Sequence, residues 1–441
     1  MRFLLILLGL TALAAAQDAA ANAYDEDFKV FTDSPRLLLT KQRLRLLQRE
    51  RERQSMRWQQ FNLLIMGGAP MAEQGLAWAL YHQVAKSPVM GRKAIDWALD
   101  DKNTDPRQLA LIFDWCGSLM TKPQADRVAA KLEKILAIPG DLPRQSARAL
   151  AAIALADRLP DRGESVLKQI VQQWWRGGVG KNPRAIPREQ VYFLYEMMHA
   201  IRDNVKIELR EDAPEYFKIL PTDHLVGHYP APFEAAENEY RVPVYIRDGE
   251  PNLTDAVFSR AAEFAMVAYD NNAADSQYLQ GWLMQDRFLM RGAMGVVYEF
   301  MWANPYQPGL SYFQMPLVFH DAVSGHVFAR SSWDEDATWI GFFDGHLQLF
   351  REGHAESLRP GATFKPIRIG DAILMRGTDP EYKFRADREA LFVLGLTPKA
   401  WYELEIDDEE LTERETDVGG TLVISQPSGV DLGARVRKRL K

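Results

Sequence analysis

The hydrophobic period changes once along this chain, and that change constrains the fold more than any other feature. Between residues 38 and 302 apolar side chains recur every three or four positions, as on helices with one buried face. After Pro305 they alternate, as on half-buried strands. Residues 105–120 show the first period clearly. Leu109, Ile112, Phe113, Cys116 and Leu119 share one helix face, Asp105-Pro106 opens the helix where a missing N–H does no harm, and Thr121-Lys122-Pro123 breaks it. A second helix carries Val128, Leu132, Ile135 and Leu136 and stops at Pro139-Gly140. The stripe predicts that Cys116 is buried and unreactive.

The same hairpin is predicted at residues 72–84 with 89–99, 143–158 with 162–174, and 255–269 with 276–301. A helix over 188–203 has a less distinct partner, and a charged helix over 41–64 opens the series. A spacing of roughly 35–45 residues is that of helical-hairpin arrays. No strict repeat is visible, which points to an irregular array or a closed ring. Residues 206–252 are rich in Pro and Gly and read as a long ordered loop, and long loops inside domains tend to carry function. Beyond Pro305, runs at 325–330, 337–343, 363–369, 372–376, 389–396, 400–406 and 421–426 predict an antiparallel sandwich. The acidic run 403–415 reads as a solvated edge, and the basic tail 435–441 is predicted to fray.

A chain of 441 residues has room for two to four domains. Its 53 basic against 60 acidic residues, net -7, exclude a nucleic-acid binder driven by counterion release. A single cysteine excludes an intramolecular disulfide framework and a multi-cysteine zinc site. Met1-Arg2, an apolar stretch through Leu13 and Ala14-Ala15-Ala16 have the form of a secretory signal peptide cleaved after Ala16. The apolar run is too short for a bilayer core of about 30 Å. The expected organisation is a signal peptide over 1–16, a helical domain over 17–304 and a β domain over 305–441. The expected location is periplasmic or secreted, with no membrane span after signal removal.

Three segments carry a family resemblance. One is Ser34-Pro35-Arg36-Leu37-Leu38-Leu39-Thr40 before a charged helix, and another is the stretch from Gln108 through Asp114-Trp115-Cys116. The third is Val327-Phe328-Ala329-Arg330-Ser331-Ser332-Trp333-Asp334. In these the chain resembles the heparinase II/III-like superfamily of polysaccharide lyases. The resemblance implies an incomplete (α/α) toroid followed by an antiparallel β-sandwich, and exported enzymes that act on acidic polysaccharides or oligosaccharides.

A lyase of this kind cleaves a uronate polymer by β-elimination. A cation or hydrogen-bond donor neutralises the sugar carboxylate, a base takes the C5 proton, and an acid protonates the leaving oxygen. A tyrosine, with its ordinary pKa of about 10, needs a cationic neighbour to serve as that base. The resemblance and the residue types in the long loop make Tyr240, His228, His199 and Tyr245 the catalytic candidates. Arg241, Glu234 and His224 are the substrate-binding candidates. The competing reading of the same tyrosines is that they pin the loop to the helices beneath it. Relatives carry an Asn-His pair on a cleft helix, whereas Met198 precedes His199 here. Relatives also carry a His-x-His-x-Asp pattern, in some cases holding zinc; here the corresponding stretch has His354, Glu356 and Leu358. No cofactor is required, but His346, His354 and Glu356 are of zinc-binding type. The leading expectation is an exported lyase of a uronic-acid polysaccharide; the alternative is a catalytically inactive glycan-binding or scaffold protein on the same fold. A third reading, a glycoside hydrolase, needs two carboxylates about 5–10 Å apart, for which Glu234 and Glu237 are candidates by type. Any cleft is predicted between the helical and β domains, with residues 223–245 as one wall.

Overall fold

The computed structural model describes residues 26–236, 239–286, 292–359, 365–370, 372–376, 381–386, 390–406, 410–425 and 430–438. The expected signal peptide, Glu237 and the last residues of the tail lie outside them. Local chemistry sets the helix starts. Asp105 accepts from the backbone N–H of Arg107 and Gln108, Thr121 and Gln124 form a reciprocal capping box, and Asp141 caps the next helix. The helices so defined are α1 (Lys41–Glu52), α2 (Met56–Met66), α3 (Gln74–Ala85), α4 (Pro88–Leu99), α5 (Pro106–Cys116), α6 (Lys122–Leu136), α7 (Leu142–Ala154) and α8 (Pro160–Lys168). Then come α9 (Val191–Val205), α10 (Pro214–Val226), α11 (Leu253–Tyr269), α12 (Ala274–Gln285) and α13 (Val296–Trp302). No helix among the described residues is long and apolar enough to cross a membrane.

Contacts divide the chain into two compact units. One comprises Met1–Ala185 with Phe193–Pro214, the other Ile186–Tyr192 with Glu215–Lys441. In the first, α3, α5 and α7 pack side by side while α4, α6 and α8 return along their flank. This is the double row of (α/α) hairpins that the 3.6 period predicts. Its two sequence segments with family resemblance meet there: Asp114 on α5 accepts from Ser34 Oγ and from the backbone N–H of Arg36 and Leu37, and Trp115 Nε1 donates to Leu37 O. Cys116 is buried beside them, and burial pushes its thiol up to about 12.

Three helix predictions need correction, and one is the helix expected over 276–301, which among the described residues ends in α12 at Gln285 and resumes only at Val296 in α13. The opening helix over 41–64 is two helices, because Gln54 adopts a left-handed backbone and Ser55 caps a new start. The loop over 206–252 contains α10, with Pro221 inside it. The missing N–H of one proline did not stop a helix whose Phe217, Leu220, Leu225 and Val226 are buried.

The second unit contains all the strands among the described residues. A small ribbon, β1 (Phe233–Glu234) with β2 (Glu239–Tyr240), sits in the long loop. After α13 come β3 (Val318–Asp321), β4 (His326–Arg330), β5 (Trp339–Phe343), β6 (His346–Arg351) and β7 (His354–Leu358), an antiparallel sheet in sequential order. The following strands are β8 (Ile367–Ile369), β9 (Ala372–Arg376), β10 (Glu381–Ala386), β11 (Ala390–Leu394), β12 (Trp401–Ile406), β13 (Glu410–Glu415), β14 (Leu422–Ser425) and β15 (Val430–Lys438). They form two more sheets, β14-β11-β9-β8 and β10-β15-β12-β13. The tail predicted to fray from 435 onward pairs within β15 through Lys438.

The sheets stack in three layers. Val327, Ala329, Ile340 and Phe342 of the first sheet meet Ala372, Leu374, Phe392 and Leu394 of the middle sheet. The middle sheet's other face, with Ile373, Met375, Leu391 and Val393, meets Tyr402, Leu404 and Val436. Being buried on both faces explains why β9 and β11 read as unbroken apolar runs, and among the described residues these two are the parallel pair in an otherwise antiparallel assembly. The class expected from the sequence, (α/α) hairpins followed by a sandwich of essentially antiparallel sheets, is the one the chain adopts.

Candidate functional site

Alternation along β4 positions the site. Val327 and Ala329 face the middle sheet, so Phe328 and Arg330 face the opposite way, together with Trp339, Gln348 and Phe350 of β5 and β6. The segment after α10 lies on this second face. Tyr229 stacks on Phe350, meets Trp339 edge-on and donates its hydroxyl to Gln348 at 2.9 Å. Trp339 Nε1 donates to Val226 O. A side chain on Gly341 would collide with the Trp339 ring at 2.1 Å, so this close approach needs glycine. The loop closes on itself through Tyr229 N–H to Val242 O and Val244 N–H to Gly227 O.

Between the loop, α12 and the β4–β5 connection lies a cavity of about 230 Å³. Its walls include His228, Tyr229, Arg241, Trp282, Asp286, Tyr312, Arg330 and Trp333, with Asp334 and Glu335 at the exposed rim. Residues from both sides of the Pro305 period change contribute. Tyr312 stacks on exposed Phe313 at 4.4 Å and meets Trp333 edge-on at 5.1 Å, which leaves an aromatic wall beside the charged one.

Behind the cavity sits a buried charge network centred on Glu263 of α11. His228 Nε2 lies 2.5 Å from Glu263 Oε1, Arg260 Nη1 3.0 Å from Oε2, and Arg188 Nη2 3.4 Å from Oε1. His224 Nδ1 stands 3.9 Å away, too far for a hydrogen bond. Burial opposes ionisation of Glu263, yet His228 and Arg260 hold its carboxyl well below the usual carboxylate range. Burial pushes the imidazoles down, His228 to about 3 and His224 to about 4, with Arg188 adding to both shifts. A neutral His228 then donates from Nε2 to the carboxylate, and its Nδ1 is buried with no partner among the described residues. Asp286 joins the network, paired with Arg260 and with Arg241 Nε at 2.7 Å. Arg241 also donates to Pro230 O at 2.7 Å and to Glu335 at 3.1 Å.

No family model matches the chain, and no curated protein does. The chain is similar to a solved glycoside hydrolase at 9% identity and a TM-score of 0.32, over 83% of this chain and 71% of that one. It is also similar to a solved mutant of heparan sulfate lyase HepC from Pedobacter heparinus, at 11% identity and a TM-score of 0.35, over 83% and 76%. The chemistry of the site therefore rests on its own residues.

Of the sequence-predicted residues, His228 and Arg241 line the cavity and His224 lies behind it in the Glu263 network. Tyr240 is buried in β2 opposite Phe233, outside the cavity walls. Tyr245 donates its hydroxyl to Gly249 O at 3.1 Å and meets Tyr229 edge-on, which fits the loop-pinning reading. Glu234 is exposed on β1. His199 belongs to the first unit, fully buried on α9 with Arg202 at 3.3 Å. The zinc set is not brought together. Antiparallel register puts His354 opposite Arg351, at the far end of β6 from His346, a strand length of about 16 Å. All three side chains are exposed, and among the described residues no group of three His, Cys, Asp or Glu could hold a metal.

Sequence reasoning missed Tyr312, Arg330, Trp333, Arg260 and Glu263 as site residues. Two signals were available: Arg330 and Trp333 stand in a segment that carries the family resemblance, and Arg260 and Glu263 are an i, i+3 charge pair inside a largely apolar helix.

Proposed function

We propose that this protein acts on an acidic glycan and that the cavity is where a uronate residue undergoes β-elimination. One observation carries the reading. Tyr312 lies in the cavity wall with no hydrogen bond to its hydroxyl among the described residues, and the guanidinium groups of Arg241 and Arg330 are its cationic neighbours. Burial raises the phenol, the two arginines counter part of that rise, and Asp286 and Asp334 oppose them. A uronate carboxylate drawn to the arginines acidifies the adjacent C5 proton, and Tyr312, once it has lost its own proton to solvent, takes it as a phenolate beside the same cations. The proton then passes to the leaving glycosidic oxygen, and a 4,5-unsaturated uronate remains. The apolar faces of a pyranose suit the Tyr312–Phe313–Trp333 wall.

The test is a panel of uronate polymers read by ultraviolet absorbance of the unsaturated product. Tyr312→Phe is expected to abolish turnover while leaving binding intact; Tyr240→Phe, outside the cavity, is expected to retain turnover. Full activity in Tyr312→Phe would overturn the assignment.

The second reading, glycan binding without cleavage, is favoured by His228. Its depressed basicity and its bond to Glu263 make it a poor proton acceptor. Binding of uronate oligosaccharides with no absorbance change would establish that reading.

A further inference from the structure

Arg330 is only 6% exposed, yet among the described residues it has no carboxylate partner. Its Nη2 donates to the backbone carbonyl of His228 at 3.3 Å, its guanidinium lies 4.3 Å over the Trp333 ring, and its Nε is buried without an acceptor. Arg241, of the same sign, acts on it, and burial together with Arg241 pushes Arg330 down to about 10, so it remains charged at neutral pH. The neighbouring arginines differ. Arg241 is matched by Asp286 and Glu335, and Arg260 by Asp286 and Glu263. The acids at the mouth, Asp334 and Glu335, are exposed. A buried guanidinium without a counter-charge costs stability, and folding alone gives no reason to keep it.

We propose that Arg330, stacked on Trp333, is the receptor for one oxyanion of the ligand, and that the ligand supplies the counter-charge the fold withholds. The proposal rests on the glycan reading above and sharpens it. A carboxylate or a sulfate ester has the right chemistry, since each offers two oxygens to the guanidinium fork while the Trp333 ring holds the fork's plane. The cavity is smaller than the roughly 300–1,000 Å³ of drug-sized sites, so it takes a single charged sugar residue at Arg330.

The experiment measures calorimetric binding and thermal unfolding of the full chain, with Arg330→Met and Arg330→Lys beside the wild type. Three trisaccharide probes are used: a uronate trisaccharide, its methyl ester, and a neutral trisaccharide carrying one sulfate ester. The wild type is expected to bind an anionic probe, with about a hundredfold loss in Arg330→Met and a smaller loss in Arg330→Lys. Free Arg330→Met is expected to melt at the same temperature as the wild type or a few degrees higher, because it removes an uncompensated charge. Undiminished binding by Arg330→Met, or a lowered melting temperature in that variant, overturns the receptor. Preference for the uronate over its ester identifies a carboxylate as the source. Preference for the sulfate supports the receptor and removes the basis for β-elimination. Arg330-dependent uronate binding without cleavage likewise supports the receptor and overturns only the lyase reading. A wild type that binds none of the probes overturns both.

Discussion

Two arginines of nearly equal burial, Arg107 in the first unit and Arg330 in the second, are treated in opposite ways. Arg107, 4% exposed, holds Glu73 through two nitrogens at 2.7 and 2.9 Å and has its Nε 3.0 Å from Glu196, itself fully buried. Arg330, 6% exposed, has one backbone carbonyl and an aromatic face. The difference separates structure from function. A buried cation with its counter-charges tethers helices to one another, whereas one without them is retained for something that arrives from outside.

The comparison breaks most readily at Arg107. Arg107→Met removes the cation that Glu73 and the buried Glu196 share, and a loss of about 3–5 kcal/mol is expected in urea unfolding. A loss under about 1 kcal/mol would show that the two arginines do not differ.

The Glu263 network gives a sizeable effect on the acid side. His224 and His228 are depressed below the ordinary histidine value, so the unfolded chain binds more protons than the folded one under acid conditions. Their contribution is fully present above about pH 6.5 and is lost as the pH falls toward 4 and 3. The melting temperature of wild type should drop across that range, and His228→Gln should flatten the drop. An unchanged acid slope in His228→Gln would mean that the network is not the source.

A smaller effect with the opposite sign belongs to His326. Burial alone would lower it, but hydrogen bonds to Asp223 at 3.1 Å and toward Asp344 raise it to about 10. Its contribution is present below about pH 6.5 and is lost as the pH rises through about 10. Thermal unfolding between pH 7 and 10 should decline in the wild type and less so in Asp223→Asn.

The smallest effect sharpens the comparison from the exposed end. Arg36 is buried, but its ion-pair partner Asp157 is 72% exposed at the side chain. Asp157→Asn is expected to cost less than about 1 kcal/mol, because solvent screens the pair and stands in for the missing charge. A loss as large as that of Arg107→Met would place burial of one partner, rather than both, as the deciding variable.

Much of the architecture could be read in the chain because it depends on neighbours in sequence. The 3.6 period placed Cys116 and its stripe in a helical hairpin, Asp105 and Thr121 marked helix starts, and the shift to a period of two placed β4 and β5. Where local signals conflicted, the reading failed. Pro221 hid α10 and a left-handed Gln54 split the opening helix. The site was legible only in part. His228 and Arg241 were found by residue type, while Tyr312 and Arg330 were not.

What the sequence determined by itself was which residues share a helix or strand face, since that follows from the repeat of the backbone. Period two already required Arg330 to lie on the face opposite Val327 and Ala329. What only the tertiary structure decided was which charges meet. Glu263 pairs with Arg260 and Arg188 and accepts from His228, residues 3, 75 and 35 positions away, and no carboxylate among the described residues reaches Arg330. Pairing between charges depends on distance through space and on burial. Neither quantity is carried by the order of residues along the chain.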